Sequence, residues 1–251
     1  MADRSYMVPA LEKGLRILEM FSRSTRVLSQ SEMATRLGVS PNSLYRILQT
    51  LATMGYLEKT GVSSYSLGSQ IVSRGFSYLA SREIVELAAP FVLSLRDNTS
   101  LSSHLAVRDG SQALYVFRAL ALQRVSVNVP VGTRFPCHVT AMGRALLSGM
   151  TPEQLRGLYR GERLDGNPEP APRTLPELIL LLERENARGW HMHYSDESTA
   201  IAVPIRDLVG EVVAAINLSG PDSIMQKEGV QEELAAILIE ASREIMHQLG
   251  A

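Results

Sequence analysis

The sequence predicts an α+β protein in two parts, a small helical head ending in a hairpin and a larger antiparallel sheet flanked by helices. Three observations lead to this fold class. Two short helices joined by a tight turn are indicated between residues 29 and 51. A strand pattern follows at 56–67, and beyond residue 103 strand patterns alternate with amphipathic helices.

The first of the two short helices has clear start and stop signals. Ser29 followed three residues later by Glu32 is a capping box. Gly38 is expected to end the helix, because glycine enters the left-handed conformation at little cost. Ser40 is expected to cap the second helix, with Pro41 at its first position. This spacing is typical of a helix-turn-helix.

The second helix has two faces of different chemistry. One face carries an apolar stripe at helical spacing, formed by Leu44, Ile47, Leu48 and Leu51. Polar side chains that can bond base edges or phosphates occupy the other face and its start: Ser40, Asn42, Ser43, Tyr45, Arg46 and Gln49. In an isolated amphipathic helix such a face is usually a solvated surface. The capped helix before it and the hairpin after it favour a DNA-recognition helix.

Two flanking segments complete a winged helix-turn-helix by residue 68. Residues 9–21 predict a helix that covers the apolar stripe. Residues 56–67 predict a hairpin that turns at Gly61 and forms the wing. The wing residues expected near DNA phosphates are Lys59, Ser63, Ser64 and Tyr65.

Charge supports a DNA-facing head modestly. Residues 1–68 hold eight Lys and Arg and five acidic residues, a net charge of +3. The remainder of the chain holds 17 basic and 21 acidic residues, a net charge of −4. A basic balance in the head is the electrostatic signature of a phosphate-binding surface. Because it is weak for one copy, we expect a homo-oligomer that places two heads on a pseudopalindromic operator in double-stranded DNA.

Other function classes lack support in the sequence. No apolar run approaches a membrane span and the N-terminus is unlike a signal peptide, so we expect a cytoplasmic protein without a membrane partner. The single cysteine, Cys137, excludes an internal disulfide. No hydrolase, metalloprotease or phosphate-loop motif is present, so we expect no enzyme activity and no cofactor.

Two pairs of residues are candidate chemical sites. His191 and His193 would face the same side of a strand, but no third metal ligand lies at a useful spacing. Cys137 and His138 are adjacent, with no third group to orient them as nucleophile and base. We therefore expect packing or pocket roles for both pairs, and no catalytic or metal site.

The remaining chain divides into a linker and a larger domain. We predict a DNA-binding domain at 1–68, a linker helix containing Gly75 at 69–82, and an effector-binding and oligomerisation domain at 83–251. Within the last domain, the predicted elements are a helix at 82–96, a hairpin at 103–118, a strand near 124–129, helices at 140–148, 152–159 and 175–188, strands at 190–194, 200–206 and 211–219, and a closing helix at 231–249.

The order of elements and several strings resemble the IclR-type transcriptional regulators. These strings are Ala10-Leu-Glu-Lys-Gly-Leu-Arg-Ile-Leu-Glu19, Ser43-Leu-Tyr-Arg46, Pro130-Val-Gly132, His138-Val-Thr-Ala-Met-Gly-Arg-Ala-Leu-Leu147, Ile201-Ala-Val-Pro204 and Val213-Ala-Ala-Ile-Asn-Leu-Ser-Gly-Pro221. The resemblance implies a C-terminal effector domain with a GAF/PAS-like fold, a dimer or tetramer, and a small metabolite as effector. The pocket positions that it implies are Val127, Phe135, Ala141, Met142, His193, Asp196, Ala200, Asn217 and Ser219.

The chain also departs from that family. The segment before Ile201 is several residues short, so the usual pocket acid aligns ambiguously with His193, Tyr194 or Asp196. Ala141 and Met142 replace smaller residues at a helix start whose N–H groups suit a carboxylate, and they are expected to narrow the pocket. We therefore expect an effector other than the smallest keto acids, or an altered response.

Two hypotheses follow from the sequence. The first is a ligand-responsive DNA-binding regulator, a repressor of a catabolic operon, with a small organic acid or aromatic compound as effector. The alternative is a small-molecule-binding or enzymatic domain that carries a protein-binding winged helix. Sequence-specific DNA affinity distinguishes the two.

Overall fold

A computed structural model describes residues 7–22, 24–80, 83–121, 127–166, 170–195 and 197–250. The chain forms two compact units, residues 1–81 and 82–251. The finer division predicted at residues 68 and 82 stays a prediction.

The described part of the first unit combines four helices with a small antiparallel sheet. Its elements are α1 (Pro9–Glu19), β1 (Leu28–Ser29), α2 (Gln30–Leu37), α3 (Pro41–Thr53), β2 (Leu57–Lys59), β3 (Ser64–Leu67) and α4 (Gln70–Ala80). The sheet has the order β1-β3-β2, and the β2–β3 pair is the predicted wing hairpin. Strand β1, which the sequence analysis missed, pairs Leu28 with Tyr65.

The predicted helix boundaries in the head are confirmed, with one correction. Ser29 Oγ accepts a hydrogen bond from Glu32 N at 3.2 Å, and Glu32 Oε2 accepts one from Ser29 N at 2.7 Å. Gly38 ends α2 with φ +66°, in the left-handed region. Ser40 lies at the N-cap position of α3, but its side chain makes no capping hydrogen bond. Pro41 at the first position therefore starts the helix without a side-chain cap.

The second unit is a six-stranded antiparallel sheet with helices. Its elements are α5 (Glu83–Thr99), β4 (Ser102–Asp109), β5 (Gln112–Ala119), β6 (Arg134–Pro136), α6 (Ala141–Leu147), α7 (Pro152–Leu158), α8 (Leu175–Arg188), β7 (His191–Ser195), β8 (Ser198–Arg206), β9 (Val212–Pro221), α9 (Asp222–Met225) and α10 (Val230–Gln248). The strand order is β6-β5-β4-β9-β8-β7. The fold class predicted from the sequence is therefore confirmed.

One predicted strand of this unit is wrong where the structure describes it. Residues 127–129 of the strand predicted near 124–129 form no regular structure, and residues 124–126 lie outside the described residues. The strand next to β5 is instead β6, which pairs Ala113 with Phe135. Ahead of Ile201, strands β7 and β8 pair as antiparallel neighbours up to Ser195 and Ser198, and the expected shortening of this segment relative to the family stays a prediction.

Small residues let helix α6 approach the sheet closely. Ala106, Ala202 and Ala215, from three neighbouring strands, are buried in one core with α6 and α8. Gly143 of α6 lies so close to the loop before it that a Cβ there would overlap the backbone of Cys137. These contacts fix the start of α6 against the sheet, where the ligand cavity described below lies.

Substituting Gly143 tests this close approach. We expect Gly143→Ala to lower the free energy of unfolding by about 1–3 kcal/mol, because the added methyl group forces backbone to move. Urea unfolding measures the effect. The matched control is Gly157→Ala in α7, where a Cβ meets nothing within 4 Å. That control should be neutral or stabilising, and an equal loss in both variants would contradict the close approach.

Candidate DNA interface and ligand cavity

Helix α3 presents the predicted polar face to solvent. Its buried residues are Leu44 and Leu48, which join the core of the first unit. The predicted DNA-binding residues of the helix are exposed except Gln49, which is half-buried: Ser40, Asn42, Ser43, Tyr45, Arg46 and Gln49. Arg46 makes no ion pair with any residue that the structure describes. Its guanidinium group is therefore available to an outside partner.

The wing presents part of its predicted contact set. Lys59 and Ser63 are exposed and Ser64 is half-buried. Tyr65 is only 1% exposed and lies in the core with Leu28 and Met33. Its prediction as a phosphate contact is therefore wrong, because the side chain faces the core of the first unit, beside its strand partner Leu28.

Most of the predicted effector residues of the second unit line one cavity of about 310 Å³. The cavity lies between the start of α6 and the strands β8 and β9, and its predicted lining residues are Val127, Phe135, Ala141, Met142, His193, Ala200, Asn217 and Ser219. The ninth predicted residue, Asp196, lies outside the described residues.

Tyr194, one of the three alternatives for the pocket acid position, also lines the cavity. The lining residues that the sequence analysis missed are Tyr115, Val129, Val139, Thr140, Ser195 and Ser198. Ser198 lies two positions before Ala200 on β8, so the two-residue period of a strand could have identified it. Tyr115 comes from β5, and only the folded sheet brings that strand to the cavity.

Hydrogen bonds hold Asn217 in a fixed orientation at the cavity. Its Oδ1 accepts from the backbone N–H of His104 at 2.9 Å and lies 3.1 Å from His104 Nδ1. Burial lowers the pKa of His104 to about 4, so the ring is neutral at physiological pH and carries its proton on Nδ1. With its oxygen occupied, Asn217 offers the amide N–H groups to a ligand.

The buried histidine predicts a loss of stability in acid. The pKa of His104 is about 4 in the folded state, against 6.5 for an ordinary histidine. Below pH 6.5 the unfolded chain binds a proton that the folded ring does not, so the free energy of unfolding falls. The decrease reaches roughly 3 kcal/mol as the pH approaches 4. Urea unfolding at pH 7 and pH 4.5 measures the loss. The loss should be smaller in His104→Gln and unchanged in the control His247→Gln, an exposed position. Equal losses in all three proteins would contradict this origin.

A buried ion pair joins the segments that surround the cavity. Arg144 of α6 and Glu185 of α8 are 3% and 5% exposed, and the Arg144 Nε donates to Glu185 Oε2 at 2.7 Å. Nη2 of Arg144 donates to Glu185 Oε1 at 3.0 Å and also to the carbonyl oxygen of Met192. Its Nη1 donates to the carbonyl oxygen of Val139 at 2.8 Å. One guanidinium thus ties α6, α8, β7 and the loop before α6.

The Glu185 carboxylate also accepts hydrogen bonds from two further donors. Glu185 accepts from His191 Nδ1 at 3.0 Å and from the backbone N–H of Met192 at 3.1 Å. Burial alone would raise the pKa of Glu185, but the hydrogen bonds from His191 and Arg144 outweigh it and lower the pKa to about 2. Glu185 is therefore ionised, and its charge is matched by Arg144.

The His191/His193 and Cys137/His138 pairs have the surroundings of packed or cavity-lining residues. His191 is bonded to Glu185, whereas His193 lines the cavity, and burial lowers the pKa of His193 to about 4. Within the residues that the structure describes, no group of three or more His, Cys, Asp or Glu side chains could hold a metal ion. Burial raises the pKa of the Cys137 thiol to about 12, so this thiol is not activated as a nucleophile.

Comparison with known families accounts for both units. The profile of the IclR helix-turn-helix domain matches residues 10–61, and that of the C-terminal domain of the bacterial transcriptional regulator IclR matches residues 76–247. The chain belongs to the IclR family. It is a ligand-responsive, DNA-binding transcriptional regulator rather than an enzyme.

Individual relatives agree over nearly the whole chain. The Pca regulon regulatory protein of Pseudomonas putida is 29% identical over 98% of this chain and 86% of its own length. The acetate operon repressor of Salmonella typhimurium is 27% identical over 97% of this chain and 90% of its own length. The solved structure of the IclR transcriptional regulator from Alicyclobacillus acidocaldarius matches with a TM-score of 0.81, at 23% identity over 97% of this chain and 100% of that one. The last comparison establishes the fold.

Among the helices that the structure describes, none is long and apolar enough to cross a membrane.

Proposed function

We propose that this IclR-family protein is a cytoplasmic homo-oligomeric repressor that binds a pseudopalindromic operator of a catabolic operon. Its effector is a small organic acid or aromatic compound that binds in the cavity between α6 and the sheet. The observation that carries the proposal is the presence, in one chain, of an exposed polar recognition helix and a preformed cavity lined by neutral side chains.

The DNA contacts are assigned to the exposed face of α3 and to the wing. Arg46 and Asn42 are placed at base edges, because arginine suits guanine and asparagine suits adenine in the major groove. Ser40, Ser43 and Tyr45, together with Lys59 and Ser63 of the wing, are placed at phosphates. Ser64 and Gln49, which are half-buried, are placed at the edge of this surface.

An exposed apolar stripe on α1 supports pairing of the heads. Leu11 and Leu15 of α1 and its N-cap residue Val8 are 61%, 54% and 60% exposed and follow helical spacing along one side. A contiguous apolar surface of this kind is typical of a protein–protein contact. Pairing two heads through α1 would present two recognition helices to two half-sites, as operator symmetry requires.

The cavity favours a compact ligand with an apolar body and a few hydrogen-bonding groups. Tyr115 and Phe135 supply aromatic surface, and Asn217 and Ser219, two positions apart on β9, supply polar groups. The lining contributed by the described residues holds no Lys, Arg, Asp or Glu side chain. Ala141 and Met142, both fully buried, narrow the cavity at the start of α6. The volume of about 310 Å³ suits a single-ring compound or a short organic acid.

Regulation requires that the effector favours one arrangement of the oligomer over another. Binding at the start of α6 would act on the segments that Arg144 holds together, and through them on how subunits pair. The spacing of two recognition helices would then change relative to the two half-sites. The repressor assignment takes support from the relative named as a repressor of the acetate operon.

Operator binding in the presence of candidate effectors tests this proposal. Purified protein is mixed with DNA from upstream of its own gene, at fixed salt, with a panel of organic acids and aromatic compounds. We expect one compound to release the complex from wild type but not from Ala200→Leu, which narrows the cavity without touching the head. A complex that no compound changes would contradict the effector assignment.

A further inference from the structure

A second cavity of about 310 Å³ lies beside the effector cavity, and arginine side chains dominate its wall. Arg144, Arg184 and Arg188 line it, with Glu185 as the one carboxylate among its described lining residues. His193 and Tyr194 of β7 line both cavities. The two cavities thus differ in charge, since the effector cavity is lined by neutral groups.

The single carboxylate of this cavity is already fully used. Both oxygens of Glu185 accept hydrogen bonds from Arg144, and they also accept from His191 and from the Met192 backbone. Arg188 Nη2 lies 3.9 Å from Glu185 Oε1, which is too long for a hydrogen bond. Arg188 therefore forms only a loose ion pair with this carboxylate, and its Nε and Nη2 donate to the Trp190 carbonyl oxygen at 3.2 and 3.1 Å. Arg184 makes no ion pair with any described residue, so three arginines share one carboxylate whose oxygens are already used.

The two guanidinium cations of α8 also disfavour each other. Arg184 and Arg188 lie one turn apart on α8, a spacing at which like charges destabilise a helix. Burial lowers the pKa of Arg188, and the like charge of Arg144 lowers it further, whereas Glu185, Tyr194 and Glu232 favour the charged form. A bound anion would relieve this repulsion. Arginine is well suited to the task, because its planar group binds carboxylate and phosphate oxygens in pairs.

We propose that this cavity, at Arg184 and Arg188, binds a small dianion with carboxylate or phosphate oxygens. The inference does not rest on the identity of the effector or on the DNA-binding assignment. An anion bound here lies against His193 and Tyr194, the residues that also form a wall of the effector cavity. The second unit therefore has an anion-binding site directly beside the effector cavity.

The single tryptophan of the chain provides a direct readout. The guanidinium carbon of Arg188 lies 3.5 Å from the centre of the Trp190 ring, so a change at Arg188 alters the surroundings of the indole. The full-length protein is titrated with inorganic phosphate and, separately, with succinate, replacing chloride at constant ionic strength. Trp190 fluorescence is followed, and equilibrium dialysis counts the bound anion independently of the fluorescence.

We expect at least one of the two anions to bind saturably to the wild-type chain. In Arg184→Gln we expect its affinity to fall roughly tenfold or more, as for a lost charge-assisted hydrogen bond. Arg184 is exposed, and its one hydrogen bond to a described residue is a 3.4 Å contact with Leu180 O of its own helix, so this variant should fold normally. Arg156→Gln, which removes the same charge from an exposed position of α7, should bind like wild type. Ala200→Leu, which narrows the effector cavity, shows whether the anion binds in that cavity instead.

The outcomes separate the site and the source of the anion. Binding of phosphate alone assigns the site to phosphate esters, and binding of succinate alone assigns it to dicarboxylates; either result supports the proposal when Arg184→Gln weakens it. Saturable binding that Ala200→Leu abolishes and Arg184→Gln leaves intact would place the anion in the effector cavity and overturn the proposal. Dialysis showing no saturable binding of either anion would overturn it as well.

Discussion

Replacing Arg46 with alanine should lower operator affinity by about 1–3 kcal/mol, roughly fivefold to more than a hundredfold, and relax sequence preference at the base pair it contacts. The reason is that Arg46 is exposed on the recognition helix and has no intramolecular ion pair among the described residues to compensate for lost DNA contacts. Competition binding with wild-type and singly altered operators measures both effects. Stability should be unchanged, because the side chain contributes nothing to the core of the head.

The matched control removes the same charge at a distance from the head. Arg156 lies on α7 of the second unit, and its exposed side chain forms an ion pair with Glu153. The Arg156→Ala variant should bind operator DNA with the affinity of the wild type at equal salt concentration. If Arg46→Ala and Arg156→Ala bound the wild-type operator equally well, α3 would not be the reading element.

Replacing Arg144 with methionine should cost about 3–5 kcal/mol of the free energy of unfolding, the expected cost of breaking a buried ion pair by removing one partner. Glu185, 5% exposed, would be left without its cation. The carbonyl oxygens of Val139 and Met192 would also lose their donor. We expect the pKa of Glu185 to rise in this variant, because a hydrogen-bonded positive charge is removed.

An exposed ion pair supplies the control for this second prediction. Arg156 and Glu153 are paired at 2.9 Å, but their side chains are 61% and 78% exposed. Arg156→Met should therefore change the free energy of unfolding by about 0.5 kcal/mol or less. Urea unfolding compares the two variants. A loss of similar size in both would show that Arg144 does not hold the cavity walls together.

Local signals made the head predictable from sequence. The capping box at Ser29 and Glu32, the turn glycine Gly38 and the apolar stripe of α3 each involve residues close in the chain, and each occurs in the structure. The exception, Tyr65, depends on a longer-range contact. The two-residue strand β1 pairs with β3 beside that ring, which faces the core of the first unit, and a strand so short leaves little pattern in the sequence.

Non-local pairing set the limit of prediction in the second unit. Arg144 and Glu185 are 41 residues apart, and nothing near either residue indicates that they meet. The cavity positions were obtained from the family resemblance instead, and the fold brings the described ones together. Phe135 belongs to the edge strand β6, which the sequence analysis did not predict and which forms through pairing with β5. The arginine-lined cavity likewise depends on how α8 and β7 pack.

The measurement that tests the central claim most directly is a nuclease footprint of the wild-type protein on DNA upstream of its own gene. The account predicts protection of two symmetry-related half-sites, at protein concentrations well below those needed for random DNA, with protection weakening as salt rises. It also predicts that a compound that binds the effector cavity alters this protection. Uniform, low-affinity coverage without a discrete protected region would contradict the account, because a recognition helix that reads base edges must distinguish sequences.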